Sequence, residues 1–211
     1  MKQLFFTICT IIFLQSVKAQ LGPVELMTGH NYFHYQHSFA QPLKPDSRLG
    51  WQHIATLIKR FNAYPEKGEL PDELMNQSYL TFRFHQLLTA KGGLFYTNVG
   101  GYQPTIGLQF FWHNKHWVAI ASPRIDIIKN GSYELFTSVE FSTSIGKDIE
   151  LYSRLQAMSN ISKESHNRSY QLVRVGVEIK GFQLGGGLTL DEYGTSGKVH
   201  YNTGLFLRRM F

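Results

Sequence analysis

Three histidines crowd the stretch from Gly29 to Ser38: His30, His34 and His37. Imidazole nitrogens suit zinc, copper and nickel. Positions i and i+4 share a face of a strand or a helix, so His30 and His34 align, while on a strand His37 points away. No cysteine or acidic ligand lies beside them. Spacing alone closes no metal site, and the expectation is aromatic and His residues at an interface or in an arm, with no metal and no cofactor. A second candidate is Ser165-His166-Asn167-Arg168-Ser169. A lipid-hydrolysing site needs a serine nucleophile, a histidine base and an orienting acid or amide. Ser169 and His166 supply the first two. Residues three apart on a regular strand face opposite ways, however, and no oxyanion donors can be named. The expectation is therefore no enzyme. Gly185-Gly186-Gly187 is not a phosphate loop, because no helix or lysine follows.

The third candidate is a set of charges at mid-segment positions: Arg83, Arg124, Asp126, Glu134, Glu140, Glu150, Arg154, Arg174 and Glu178. Both signs are nearly balanced, as an internal ion-pair network requires. One reading is structural, with the pairs closing a narrow barrel. The other is a pore lining that sets ion selectivity. Inward Phe136, Tyr152 and Phe206 favour partial occlusion.

The elements that carry these residues are strands. From Gln171 to Lys180, Val173, Val175, Val177 and Ile179 form one face and Arg174, Gly176, Glu178 and Lys180 the other. A helix would mix the two sets, whereas period two separates them. The same separation sets Ile106, Leu108, Phe110 and Trp112 against Thr105, Gly107, Gln109 and His113, and recurs along the chain. Short turns are expected around Lys91-Gly92, Asn114-Lys115, Gly146-Lys147 and Lys180-Gly181. Longer connections are expected at 62–77, 99–104, 158–167 and 191–197, with 128–132 a shorter exception. Ten strands fit between Trp51 and Phe211. Asn31 to Ala40 adds an eleventh, and Val24 to Thr28 would make twelve. Ten and twelve both remain open, since residues 20–47 read either as an N-terminal arm or as the first strands.

Met1 to Ala19 has a positive start at Lys2, an apolar run from Leu4 to Leu14 and Val17-Lys18-Ala19 before the expected cleavage site, which is the pattern of a secretory signal peptide. The sole cysteine, Cys9, falls inside it. Disulfides are therefore not expected in the mature chain, even though export permits them. The net charge of +6 falls to +4 without Lys2 and Lys18, and no Lys/Arg run reads as a nucleic-acid patch. No apolar run is long enough for a membrane helix. Aromatic residues make up 14 % of the chain and glycines number 19, which suits a barrel with aromatic girdles and tight turns.

The last segment, Val199 to Phe211, alternates and ends on an aromatic residue, with Leu205, Leu207 and Phe211 on its apolar pattern. In this the chain resembles the outer-membrane β-barrel proteins of Gram-negative bacteria, in which such a strand is read by the assembly machinery. Arg209 departs from that pattern, which has an apolar or aromatic residue two places before the end. The resemblance implies an all-β, single-domain antiparallel transmembrane β-barrel over 48–211, in the outer membrane. Its implied partners are outer-membrane lipid and the barrel-assembly machinery, with no nucleic acid and a monomeric state. The function expected is structural or a narrow small-solute channel. A soluble periplasmic ligand-binding β-barrel is the alternative, and an outer-membrane lipid hydrolase a further one. Fractionation separates the first two: the mature protein is expected to stay with membranes until detergent is added, and its release by osmotic shock would reject the membrane reading.

Overall fold

The computed structural model describes residues 22–61 and 70–211, so the signal-peptide expectation lies outside the described residues. Twelve strands follow one another: β1 Pro23–Gly29, β2 Tyr32–Pro42, β3 Leu49–Arg60, β4 Glu73–His85, β5 Leu88–Thr97, β6 Gly101–His113, β7 Trp117–Asp126, β8 Tyr133–Gly146, β9 Ile149–Ile161, β10 His166–Ile179, β11 Phe182–Tyr193 and β12 Val199–Met210. Each pairs antiparallel with its neighbours in sequence, and β1 pairs with β12 to close the barrel. Of the two counts left open by the sequence, twelve is observed. Residues 23–42 form two strands of the wall rather than an arm.

The alternation resolves into an outside and an inside. Leu80, Leu155, Val175 and Leu205 are all more than half exposed on the outer face. Arg124, Asp126, Arg154, Arg174 and Arg208 are buried within. A soluble barrel would turn the apolar set inward, because an apolar belt of this size cannot stand in water. This barrel is inverted, as lipid requires. Aromatic rings gather at both ends of the apolar belt. Tyr96 and Tyr102 pair at 4.7 Å near one end, while Trp117 with Phe141 (4.7 Å) and Phe82 with Phe84 (4.9 Å) mark the other. Rings with a polar edge favour the headgroup level.

The two ends differ in their connections. At one end the chain crosses by 30–31, 61–72, 98–100, 127–132, 162–165 and 194–198; at the other by 43–48, 86–87, 114–116, 147–148 and 180–181. The first is the long-loop end and the second the short-turn end, with 30–31 and 43–48 as exceptions to the rule. Lys180 and Gly181 both have positive φ (51° and 77°), the conformation of a two-residue hairpin turn whose twist matches its strands. The turn expected at Lys91-Gly92 is displaced to 86–87, and both residues lie inside β5. The next residue, Gly93, serves close packing: a Cβ there would stand 1.9 Å from the Ser78 carbonyl oxygen. Arg209, the departure from the terminal pattern, faces outward at the short-turn end. Its guanidinium lies 4.2 Å over the Phe182 ring, so its apolar stem stays in the belt while its charge reaches the interface.

Beside the seven-residue β1–β12 seam sits Asn202, which is fully buried. Its Oδ1 accepts the Asn31 N–H at 2.9 Å, and its Nδ2 donates to the Tyr32 carbonyl at 3.1 Å. One side chain on β12 thus caps the β1–β2 turn. Asn202→Leu strands those backbone groups and is expected to cost about 1–3 kcal/mol. The temperature at which the folded band on an unheated gel converts to the unfolded mobility should fall accordingly. An unchanged temperature would show that the seam closes without this cap.

Candidate functional site: the charged lumen

Inward side chains form ion-pair groups stacked along the bore. The group nearest the long-loop end joins β3, β4, β10 and β11. Arg168 grips Asp191 with two hydrogen bonds (2.9 and 2.6 Å) and donates from Nη1 to Glu73 at 2.7 Å. Arg60 reaches Glu73 from β3 at 2.7 Å, and the Tyr193 hydroxyl donates to the same carboxylate and to Asp191. In the closed order β4 and β10 are six strands apart in either direction. The Arg168–Glu73 pair therefore crosses the bore between opposite walls. Just before β4, Asp72 accepts from Lys59 and from the Arg60 N–H at the end of β3, and these hold its carboxyl below the usual range.

Deeper in, Glu25 on β1 receives two arginines, from β10 and β9, three and four strands away in the closed order. Arg174 Nε lies 3.0 Å from its Oε1, and Arg154 pairs with its Oε2. All three are nearly inaccessible. Arg174 also donates to the Leu188 carbonyl at 3.2 Å, and its guanidinium lies against Gly187, where a Cβ would come within 3.0 Å of it. Towards the short-turn end Arg208 takes Glu140 with two bonds of 2.9 Å and reaches the Tyr152 hydroxyl and Gln183 Oε1 at 2.7 Å each. Along the remaining wall Arg124 grips Glu134 twice at 2.8 Å, reaches Asp126 at 2.6 Å and lies 3.9 Å over Phe95. Lys91 donates to Ser122 at 2.6 Å, and Gln52 to Gln109 at 3.1 Å. Interior charges at this depth persist because nearly every one has a partner.

Of the charges read from the sequence, Arg124, Asp126 and Glu134 form one cluster. Arg154 and Arg174 share Glu25, and Glu140 meets Arg208. Glu178 accepts from Gln183 at 2.7 Å. Arg83 and Glu150 are corrections: they lie exposed at the short-turn rim and, among the described residues, take no ion pair. Their strands reach beyond the buried part of the bore, so water replaces a partner. Sequence reasoning missed Glu25, Arg60, Glu73, Arg168, Asp191 and Arg208. Arg208 stood on the polar face of an alternating segment and was available to be found; Glu25 followed from accepting the first strand.

The three histidines part company. His34 is buried in the lumen. His37 faces outward and bonds His53 at 2.8 Å, and the His30 ring packs 5.0 Å from Tyr201. Among the described residues no cluster of three or more His, Cys, Asp or Glu has metal-holding geometry. Ser169 and His166 correct the sequence argument in the other direction. A β-bulge shifts the β9–β10 register between His166 and Arg168. The extra residue puts His166 and Ser169 on the same outer face, with Nε2 2.8 Å from Oγ.

Beside the Arg168–Glu73 tie, at the long-loop end, lies a cavity of about 580 Å³, lined by both of these residues and by Phe95, Glu134, Met158 and Asn160 among others. An apolar wall, girdled ends and a paired polar interior define a transmembrane β-barrel of the outer-membrane type. No protein-family model matches the sequence, and neither does any curated protein. Among solved structures the chain is similar to a KdgM porin (8 % identity, 90 % of this chain and 98 % of that one, TM-score 0.49). It is also similar to Pseudomonas aeruginosa OccK10 (OpdN), at 10 % identity, 89 % and 68 % coverage and a TM-score of 0.41. These are likenesses of one barrel to another and identify no ligand.

Glu25→Ala leaves Arg154 and Arg174 buried without their counter-charge and is expected to cost about 3–5 kcal/mol. Glu150→Ala at the exposed rim should stay within about 0.5 kcal/mol of the parent. Urea unfolding in detergent, followed by tryptophan fluorescence, compares the two. Equal midpoints would show that the Glu25 tether does not hold the barrel.

Proposed function

We propose that the chain is an integral barrel of the bacterial outer membrane, monomeric, surrounded by lipid and inserted by the barrel-assembly machinery, whose bore is shut at rest by its own side chains. The observation that carries this is the Arg168–Glu73 pair between opposite strands. A water-filled pore would keep its charges on the walls, facing solvent. Here the guanidinium and carboxylate meet across the bore, and the Glu25 and Arg208 groups, which join strands three or four places apart, fill it below. Loop length orients the barrel, with the long-loop end outside. The lumen is assigned no catalytic step and no cofactor.

A second reading, a narrow small-solute channel, is favoured by the outward cavity, which would be its vestibule. Planar-bilayer conductance distinguishes the two. The parent is expected to be nearly silent, and Glu73→Ala with Arg168→Ala should give discrete openings. Steady conductance by the parent at the same voltage would reject the shut barrel and favour the channel.

A further inference from the structure

The bulge in β10 builds a second site on the opposite side of the wall from the lumen. Ser169 Oγ and His166 Nε2 are 2.8 Å apart. The other ring nitrogen, Nδ1, lies 2.6 Å from the Gly194 carbonyl oxygen. A carbonyl only accepts, so Nδ1 carries the proton and Nε2 is left as the acceptor facing the serine. That is the tautomer of a general base, held by a fixed partner. Ser159 Oγ stands 3.0 Å from Ser169 Oγ. The Ser169 hydroxyl donates to Ser159 in this arrangement; when its single proton turns to the imidazole, the Ser159 hydroxyl is freed to donate to charge that develops beside Ser169.

Depth fits the chemistry. His166 pairs with Ile161, which pairs with Tyr133; further along, Gln171 pairs with Leu190, which pairs with Tyr201. Ser169 lies between these two rows, whose tyrosines both face outward and are about half exposed. Tyrosines of this kind mark the headgroup level, where the acyl ester bonds of a lipid lie. The site is at the long-loop end, which faces the outer leaflet in the orientation argued above.

We propose that Ser169 and His166 form an ester-cleaving dyad acting from the barrel's outer wall on acyl esters of outer-leaflet lipid. Ser169 Oγ attacks the ester carbonyl carbon while His166 Nε2 takes its proton. The carbon–oxygen bond to the lipid alcohol breaks, and the alcohol leaves with that proton. Water, deprotonated by the same nitrogen, then cleaves the acyl-Ser169 ester, releasing a fatty acid and restoring the serine. The orientation of the site rests on the membrane reading, but its chemistry does not depend on whether the lumen conducts.

The test uses the mature chain folded in detergent. A fluorophosphonate probe should label the parent and not Ser169→Ala. Fatty-acid release is followed from mixed micelles of diacyl phosphatidylethanolamine and, separately, of lipid A; the micelle that is turned over identifies the source of the ester. His166→Ala is expected to slow release by about 10²- to 10⁴-fold, and Ser159→Ala by about 10²-fold. Each variant is scored only after it shows the parent's folded mobility on an unheated gel, which separates loss of chemistry from loss of fold or insertion. Labelling at Ser169 together with release from either lipid sustains the proposal. Absence of labelling, or labelling without release from both lipids, overturns it.

Discussion

Everything in this molecule depends on the pairing of β1 with β12. A hydrocarbon environment offers no hydrogen bonds to a free strand edge, so a sheet that spans it must have no edge. Once the ring is closed, each strand has only two directions for its side chains, and lipid takes one of them. The other must hold the charges the chain carries at that depth. The ion-pair groups of the lumen follow from that enclosure, since a charge removed from water needs a partner within reach.

Much of this was legible in the sequence because period two is a local signal. The faces of 171–180, 105–113 and the terminal segment can be read from a few residues at a time. Partnership across the bore is not local. Arg168 and Glu73 lie 95 residues apart, and Arg174 and Glu25 lie 149 apart. Which inward residue meets which depends on strand count and register, and the count stood at ten or twelve until β1 and β2 were placed. With β1 unplaced, Arg154 and Arg174 had no visible acid, so a nearly balanced set of charges stood in for the actual pairs.

Two local misreadings share a cause. Lys91-Gly92 resembled a turn and lies instead within a strand, next to Gly93, where two strands press together. The rule that residues three apart face oppositely failed at His166 and Ser169 because it assumes an unbroken ladder. A bulge adds one residue and reverses the parity, and no residue type in the stretch from Ser165 to Ser169 announces it. The positions where regular alternation predicts wrongly are therefore where the wall does something other than span.

The lumen pairs also impose an order on assembly. Glu25 and Glu73 come from the first four strands, while Arg154, Arg168 and Arg174, which pair with them, come from the ninth and tenth. A chain that has inserted only its early hairpins holds carboxylates without these partners, and the later hairpins bring the compensating cations. The ties from β9 and β10 thus arrive late, with the strands that complete the ring, although Arg60 already answers Glu73 within the β3–β4 hairpin. The same residues that shut the bore make a half-built barrel electrostatically incomplete, which biases the chain toward finishing.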